Sequence, residues 1–319
     1  MTRLFLAVAL SISCSVGSAR AADTYPLEGH QVRVVVGFAA GGGADLSARL
    51  VTRKMGEILH ANFVVENRGG AGGLVAAATV AHAKPDGYTL LWGSVGAFAL
   101  SPAIGTPMPF DPINDFAPIS RTVNLCNVMV SSTSSSIKSV EDLIDVARKQ
   151  PSKLSYGTPG VGSAGDTSAL LLLKLANIDM THIPFKGGSE VANNLLVGDV
   201  DVGFVTVSTV ETLGKDRLRP LAVTSAERDP MLPDVPTFEE SGVKGYDATF
   251  WYGLLAPKGT PAEIVNTLNA AVREALNDPA VQKAHTQLGV VAAPDSPDEF
   301  VGLIKRDNER WKQLMSKRQ

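Results

Sequence analysis

The stretch Val36-Gly37-Phe38-Ala39-Ala40-Gly41-Gly42-Gly43-Ala44-Asp45 constrains this chain more than any other. An apolar, β-branched run from Val32 to Phe38 enters a loop with three consecutive glycines. The chain leaves through Asp45 into apolar residues at helical spacing, Leu46, Leu50, Val51, Met55, Ile58 and Leu59. A strand, a glycine loop and a helix in that order leave the first helical amides without intrahelical partners, above the strand end. The positive end of the helix dipole lies behind them, so the unit is a ready anion site.

The pattern recurs. Phe63 to Arg68 reads as a strand, followed by Gly69-Gly70-Ala71-Gly72-Gly73 and an alanine-rich helix, Leu74 to Ala83. The turn Pro85-Asp86-Gly87 feeds a strand, Tyr88 to Trp92, that ends in Gly93-Ser94. Leu154 to Gly157 leads to a second glycine loop, Thr158 to Asp166, and the helix Ser168 to Ala176. His182 to Phe185 leads through Lys186-Gly187-Gly188-Ser189 to the helix Glu190 to Val197. Further strands are expected over Asp199 to Val207, Leu221 to Thr224 and Phe250 to Ala256. Ser139 caps a helix from Val140 to Lys149. Capping boxes at Thr260…Glu263 and Ser296…Glu299 open two closing helices, running to about Asn277 and Lys317. Strands alternating with helices imply α/β layers with largely parallel sheets. Residues 95–122 carry little periodicity, and a domain crossing is expected near Arg121 to Asn124, with a return at Phe250.

The amino terminus is a secretory signal: Met1-Thr2-Arg3, an apolar run from Leu4 to Val16, then Ala19-Arg20-Ala21, with cleavage expected after Ala21. The apolar run is too short for a membrane span. Residues 22–319 suffice for two compact domains. The formal charge is −3, cleavage removes two arginines and no acid, and no basic block stands out, so nucleic acid is excluded as a partner. Cys126 is then the one remaining cysteine and reads as a small buried residue.

Gly160-Val161-Gly162-Ser163-Ala164-Gly165, with Asp179 further on, matches the dinucleotide fingerprint. An exported chain with the motif in mid-sequence argues against it. Neither Ser94 nor Ser163 lies in G-x-S-x-G, and the five histidines are scattered without metal-ligand spacing. Glycine loops at 39–43, 160–165 and 187–188, with hydroxyls at Ser94, Thr158 and Ser163, instead suggest a cleft lined by backbone donors, which suits a carboxylate. Asp45 and Asp166 read as helix caps through their side-chain oxygens.

Phe38 to Arg49, Val65 to Gly73, Pro85 to Leu91, Pro184-Phe185-Lys186-Gly187-Gly188 and Leu232 to Thr237 occur in this order. Together they resemble the Bug-type solute receptors of the tripartite tricarboxylate transporter system, across essentially the whole mature chain. The resemblance implies a two-lobed, type II periplasmic binding protein, with one lobe of 22–122 plus 248–319 and another of 123–247. It implies no cofactor, metal or enzymatic step, and nothing demands more than a monomer. The ligand implied is a small carboxylate (a di- or tricarboxylate, an aromatic acid or an acidic amino acid) captured by hinge closure. Delivery goes to a permease of one large and one small membrane subunit. The alternatives are presentation to a sensor kinase, or an exported hydrolase using Ser94 or Ser163. Carried over by motif, the ligand contacts are Phe38, Ala40, Gly41, Gly42, Asp45 and Ser94 in the first lobe. In the second they are Thr158, Gly160, Gly162, Ser163, Lys186, Gly187 and Asp201, the last on a strand expected to floor the cleft. Asp166, Phe185 and Val205 depart from the family pattern, where histidine, tyrosine and an acid are frequent, and bear on specificity.

Overall fold

The computed structural model describes residues 25–316 except Glu28, Ala39, Val161, Gly162, Lys186 and Lys215. The expected signal peptide lies outside the described residues. The strand β1 (Gln31–Val36) leads into α1 (Gly43–Leu59), and β2 (Asn62–Asn67) into α2 (Leu74–Ala81). β3 (Thr89–Ser94) leads into a π-helical turn, Gly96–Leu100, which continues as the single turn α3 (Ser101–Ala103) before β4 (Phe116–Leu125). Next come β5 (Asn127–Ser132), α4 (Val140–Lys149), β6 (Ser155–Thr158), α5 (Ala164–Ala176), β7 (Thr181–Pro184) and α6 (Gly188–Val197). β8 (Val202–Thr206), α7 (Val207–Leu213) and β9 (Leu218–Val223) complete the middle of the chain. It ends with β10 (Phe250–Pro257), α8 (Ala262–Asn277), α9 (Pro279–Gln287), β11 (Val290–Ala292) and α10 (Pro297–Ser316).

These strands form two sheets, a six-stranded one ordered β11-β4-β10-β3-β1-β2 and a five-stranded one ordered β7-β6-β8-β5-β9. The sheets share one plan. In the first, β1 pairs in parallel with both β2 and β3, and β10 joins β3 antiparallel. In the second, β6 pairs in parallel with β7 and β8, and β5 joins β8 antiparallel. Each sheet therefore has a topological switch point, between β1 and β3 and between β6 and β8, where successive helices leave to opposite sides and ligands characteristically bind.

The crossing strands fix how the two switch points relate. Leu125 closes β4 beside Phe250, and after Cys126 the strand β5 opens with Asn127 opposite Thr206, the last residue of β8. The chain thus passes from the carboxyl-end edge of one parallel sheet to the carboxyl-end edge of the other, and the two crevices open towards each other. Thr224 clips the crossings together: its amide donates to Asn127 O at 2.9 Å and its Oγ1 accepts from Asn127 N–H at 2.9 Å.

The first sheet is covered on both faces, so its central strands are apolar throughout. Val32, Val34 and Val36 pack with α1, α8 and α9, while Val35 and Leu91 face α2 and α10 on the other side. Gly37 lets the end of β1 approach the second glycine run, because a Cβ there would lie 2.6 Å from Gly73 Cα. The core under α10 continues through Phe250, Trp251 and Tyr246 into the second lobe, where it meets α4 and α5.

Several boundaries differ from expectation. β4 begins at Phe116, inside the segment read as irregular, because Pro118 hides the strand pattern. It also stays in the first sheet to Leu125, paired with β10 and β11, so the change of sheet falls at Cys126 rather than after 122. Thr260 does not cap α8: its Oγ1 donates to Pro257 O at 2.8 Å, and the N-cap is Pro261. The Ser296–Glu299 box forms, with Glu299 Oε2 accepting the Ser296 amide at 2.8 Å. Between these helices lie α9, capped by Asp278, and the edge strand β11, neither expected.

Candidate functional site

In the first lobe, Phe38 leaves β1 and the loop Ala40 to Gly43 lies exposed at the switch point. Gly41 has φ +81°, where a side chain is strained, and Gly42 is the N-cap of α1 with no side-chain capping bond. Asp45, in the first turn of α1, reaches back instead. Its Oδ2 accepts the Gly41 amide at 2.8 Å, and its Oδ1 accepts Arg49 Nε and Asn67 Nδ2, both at 2.9 Å. Asn67 Nδ2 also donates to Phe38 O at 3.0 Å, which ties β2 to the loop. Burial pushes the Asp45 carboxyl up, but the bonds from Arg49, Gly41 and Asn67, with the Arg49 charge, outweigh it and hold it below the usual carboxylate range. Asp45 is 2% exposed. It braces the loop, which corrects its expected role as N-cap.

Ser94 ends β3 at the other side of the crevice, and its Oγ is buried with no hydrogen-bond partner among the described residues. A Cβ at Gly73 would lie 3.7 Å from Ser94 Oγ and 3.9 Å from Phe38 Cζ, so Phe38, Gly73 and Ser94 surround one point. Tyr252 joins them. It stands opposite Ser94 in the β10–β3 register, with its ring 6.0 Å from that of Phe38. Sequence reasoning missed Tyr252, although strand alternation carries a signal. Trp251 turns into the core, donating to Asp307 Oδ2 at 2.7 Å, so Tyr252 must face the other way.

In the second lobe, Thr158 ends β6 fully buried, with Oγ1 2.7 Å from His182 Nε2. The His182 ring stacks on Tyr156 at 4.8 Å, and its Nδ1 lies 3.7 Å from Asp166 Oδ1. The Thr158 hydroxyl also lies 3.3 Å from Gly160 O. Thr158 Oγ1 also sits 3.4 Å from the Gly160 amide. The relay Asp166–His182–Thr158 thus fixes the entry to the second glycine loop. Ser163, not Asp166, caps α5, its Oγ accepting the Asp166 amide at 3.1 Å. Gly187 is the N-cap of α6 with no side-chain bond. Gly162 and Lys186 lie outside the described residues.

Asp201 is misplaced by the sequence reading. It precedes β8 at the far end of the sheet, accepting the Ser155 amide at 2.7 Å and the Ser155 hydroxyl at 2.9 Å. Five residues of strand, about 16 Å at 3.3 Å per residue, separate it from the crevice. The residue that β8 does deliver there is Thr206, exposed and linked to Ser208 and Thr209 at 3.0 and 2.9 Å. Val205, one of the departures, is fully buried in the second lobe's core and faces no ligand. Phe185 packs over Gly157, whose Cβ would lie 3.0 Å from its ring.

The chemistry excluded is equally definite. Asp179 precedes β7 and accepts from Ser152, at the end of the sheet remote from the glycine loop, so the dinucleotide fingerprint has no ribose acid. Ser94 and Ser163 have no histidine beside them among the described residues, and Thr158 is too buried to attack a substrate. Among the described residues no group of three or more His, Cys, Asp or Glu could hold a metal. The two crevices are lined by backbone amides and hydroxyls.

Known proteins share this arrangement. The family described as tripartite tricarboxylate transporter family receptor matches residues 47–319. BugT of Bordetella pertussis is 30% identical over 314 residues, covering 98% of this chain and 96% of BugT. Among solved structures, R. palustris Rpa4515 with adipate is 33% identical, with a TM-score of 0.79 over 92% of this chain and 98% of that one. MatC from Rhodopseudomonas palustris with bound malate is 33% identical, with a TM-score of 0.77 over 91% of this chain and all of that one. The family match over residues 47–319, the relative aligned along nearly the whole chain and the shared fold agree: this chain belongs to the tripartite tricarboxylate transporter receptor family, whose members are solute receptors rather than enzymes.

Proposed function

We propose that the protein is exported, loses residues 1–21, and in the periplasm captures a small carboxylate between its two lobes. The observation that carries this reading is the start of α1. A 17-residue helix opens from exposed glycines with no side-chain cap, at the carboxyl end of β1. Such an end supplies amide donors and a positive dipole without an arginine. The adipate and malate held by the two similar structures are both carboxylates, which supports the same ligand class here. A ligand that bridges both lobes favours the closed arrangement over the open one. The captured acid then passes to a membrane permease of a large and a small subunit.

The test is thermal unfolding of ligand-free protein against mono-, di- and tricarboxylates, aromatic acids and acidic amino acids. An acid at 100 times its Kd stabilises by about 2.7 kcal/mol. Gly43 and Gly187, one on each lobe, have open space where a Cβ would go, so Gly43→Leu and Gly187→Leu should fold normally and obstruct the cleft. Loss of the ligand shift in both variants supports capture between the lobes. Binding unaffected by either substitution, or no stabilising acid, sinks the reading.

A further inference from the structure

Buried or half-buried tyrosines ordinarily give their hydroxyl a partner, and this chain follows the rule elsewhere. Tyr25 donates to Gly87 O at 2.7 Å, Tyr246 donates to Ser168 O at 2.9 Å, and Tyr88 accepts the Leu27 amide at 2.9 Å. Tyr252 breaks it. Its ring is partly buried against Phe38, and no hydrogen bond reaches its hydroxyl from the described residues. The neighbour directly across the sheet, Ser94, also keeps a buried hydroxyl without a partner. Directly paired residues of an antiparallel ladder project from the same face. A buried hydroxyl without a partner and a solvent-accessible phenol therefore share one face of the sheet at the β1–β3 switch point, next to the glycine loop. A buried hydroxyl left unpaired costs stability, and a phenol on the same face that only water reaches is free to take a ligand, so the two together read as half of a binding site. Burial also pushes the Tyr252 phenol up to about 12, so it stays a neutral donor at any physiological pH.

We propose that Tyr252 is a specificity-determining ligand contact, whose hydroxyl donates to a second oxygen of the acid, away from the carboxylate held at the start of α1. The inference rests on the carboxylate reading of the cleft and narrows it. The ligand is an acid carrying a further acceptor, a hydroxyl, a carbonyl or another carboxylate. An acid with a bare hydrocarbon tail leaves both hydroxyls unsatisfied in the closed state and is disfavoured. A neutral phenol adds no charge, so Tyr252 discriminates by hydrogen bonding alone.

Titration calorimetry of ligand-free wild type and Tyr252→Phe tests this with matched probes: succinate against butyrate, and 4-hydroxybenzoate against benzoate. The substitution keeps the ring and its contact with Phe38 and removes only the oxygen. In wild type the oxygen-bearing member of at least one pair should bind roughly ten-fold or more tightly than its partner. Tyr252→Phe should erase that preference, lowering affinity for the oxygen-bearing acid about ten-fold. The bare acid and the melting temperature should be unchanged. If Tyr252→Phe keeps the wild-type preference, or weakens both members of a pair equally, the assignment of Tyr252 is overturned and the carboxylate reading stands. If wild type binds none of the four acids and none in the thermal screen, both fall.

Discussion

Replacing Asp45 by alanine tests whether the first glycine loop is held by one carboxylate. Asp45 takes three donors from three places, the Gly41 amide, Asn67 of β2 and Arg49 one turn along the helix. The first two are part-buried, so each bond to this charged group, about 1.5–3 kcal/mol when shielded, is discounted to about 1–1.5 kcal/mol. The Arg49 side chain is 47% exposed, so its bond adds only about 0.5 kcal/mol. The total loss is about 3 kcal/mol, which lowers the melting temperature by about 6 °C in a protein of this size. Asp45→Asn should recover little, because its amide group must face a donor either at Gly41 or at Asn67 and Arg49.

The pH dependence has a fixed sign. The folded-state pKa of Asp45 is depressed, so its contribution is present above the unfolded carboxylate range and is lost as pH falls through the folded value. Wild type and Asp45→Ala should therefore differ most near pH 7 and converge in acid. Because Gly41 loses its tie and Asn67, which holds Phe38 O, loses its carboxylate partner, affinity for the bound acid should drop by about ten-fold at neutral pH. Thermal melts from pH 7 to pH 3, with and without ligand, measure both. An Asp45→Ala protein that melts within a degree of wild type at pH 7 and binds equally well would refute the bracing role.

Two further outcomes concern the frame. Gly253→Ala places a methyl 2.2 Å from Phe300 Cζ and 3.0 Å from Ser120 O in a fully buried site. It should cost about 1–3 kcal/mol by overpacking, read as a lower denaturation midpoint at unchanged slope. His285 is buried against α1, with Nε2 3.1 Å from Ser47 Oγ, and burial lowers its pKa to about 4. Between the ordinary histidine range and that value the unfolded chain binds the extra proton. Stability should fall by up to about 1.4 kcal/mol per pH unit as pH drops through this window, and His285→Asn should flatten that slope.

Most of the frame was legible because parallel α/β units repeat a strong local signal. The strand runs at Val32, Leu90, Tyr156 and Val202 end in glycine or a hydroxyl, so β1, β3, β6 and β8 could be located from local pattern. What was not legible depended on partners distant in sequence. Asp45 and Asp166 both sit where a cap is expected, yet only the fold reveals that one holds Gly41 and the other faces His182. Asp201 stands on the right strand at the wrong end, because a strand's direction relative to the cleft is a property of the sheet. Tyr252 was hidden in an aromatic run that reads as core, and its exposure on one face follows only from its pairing with Ser94.

The repetition of one sheet plan in both lobes explains why ligand class and ligand identity are written in different places. Each lobe makes its crevice from helix starts and glycine loops, and these offer amide donors whatever side chains surround them. Such donors select for an anion and are indifferent to the rest of the molecule. Discrimination has to come from the side chains that the antiparallel strands β10 and β5 bring beside each switch point. Ser94 and Tyr252 occupy that place in the first lobe. In the second, Asn127 opens β5 opposite Thr206. Substitutions at these positions can change the ligand without touching the loops or the hinge. Exchanging residues at 94, 252, 127 and 206 should therefore alter ligand preference at nearly constant stability, whereas exchanging the loop glycines should abolish binding.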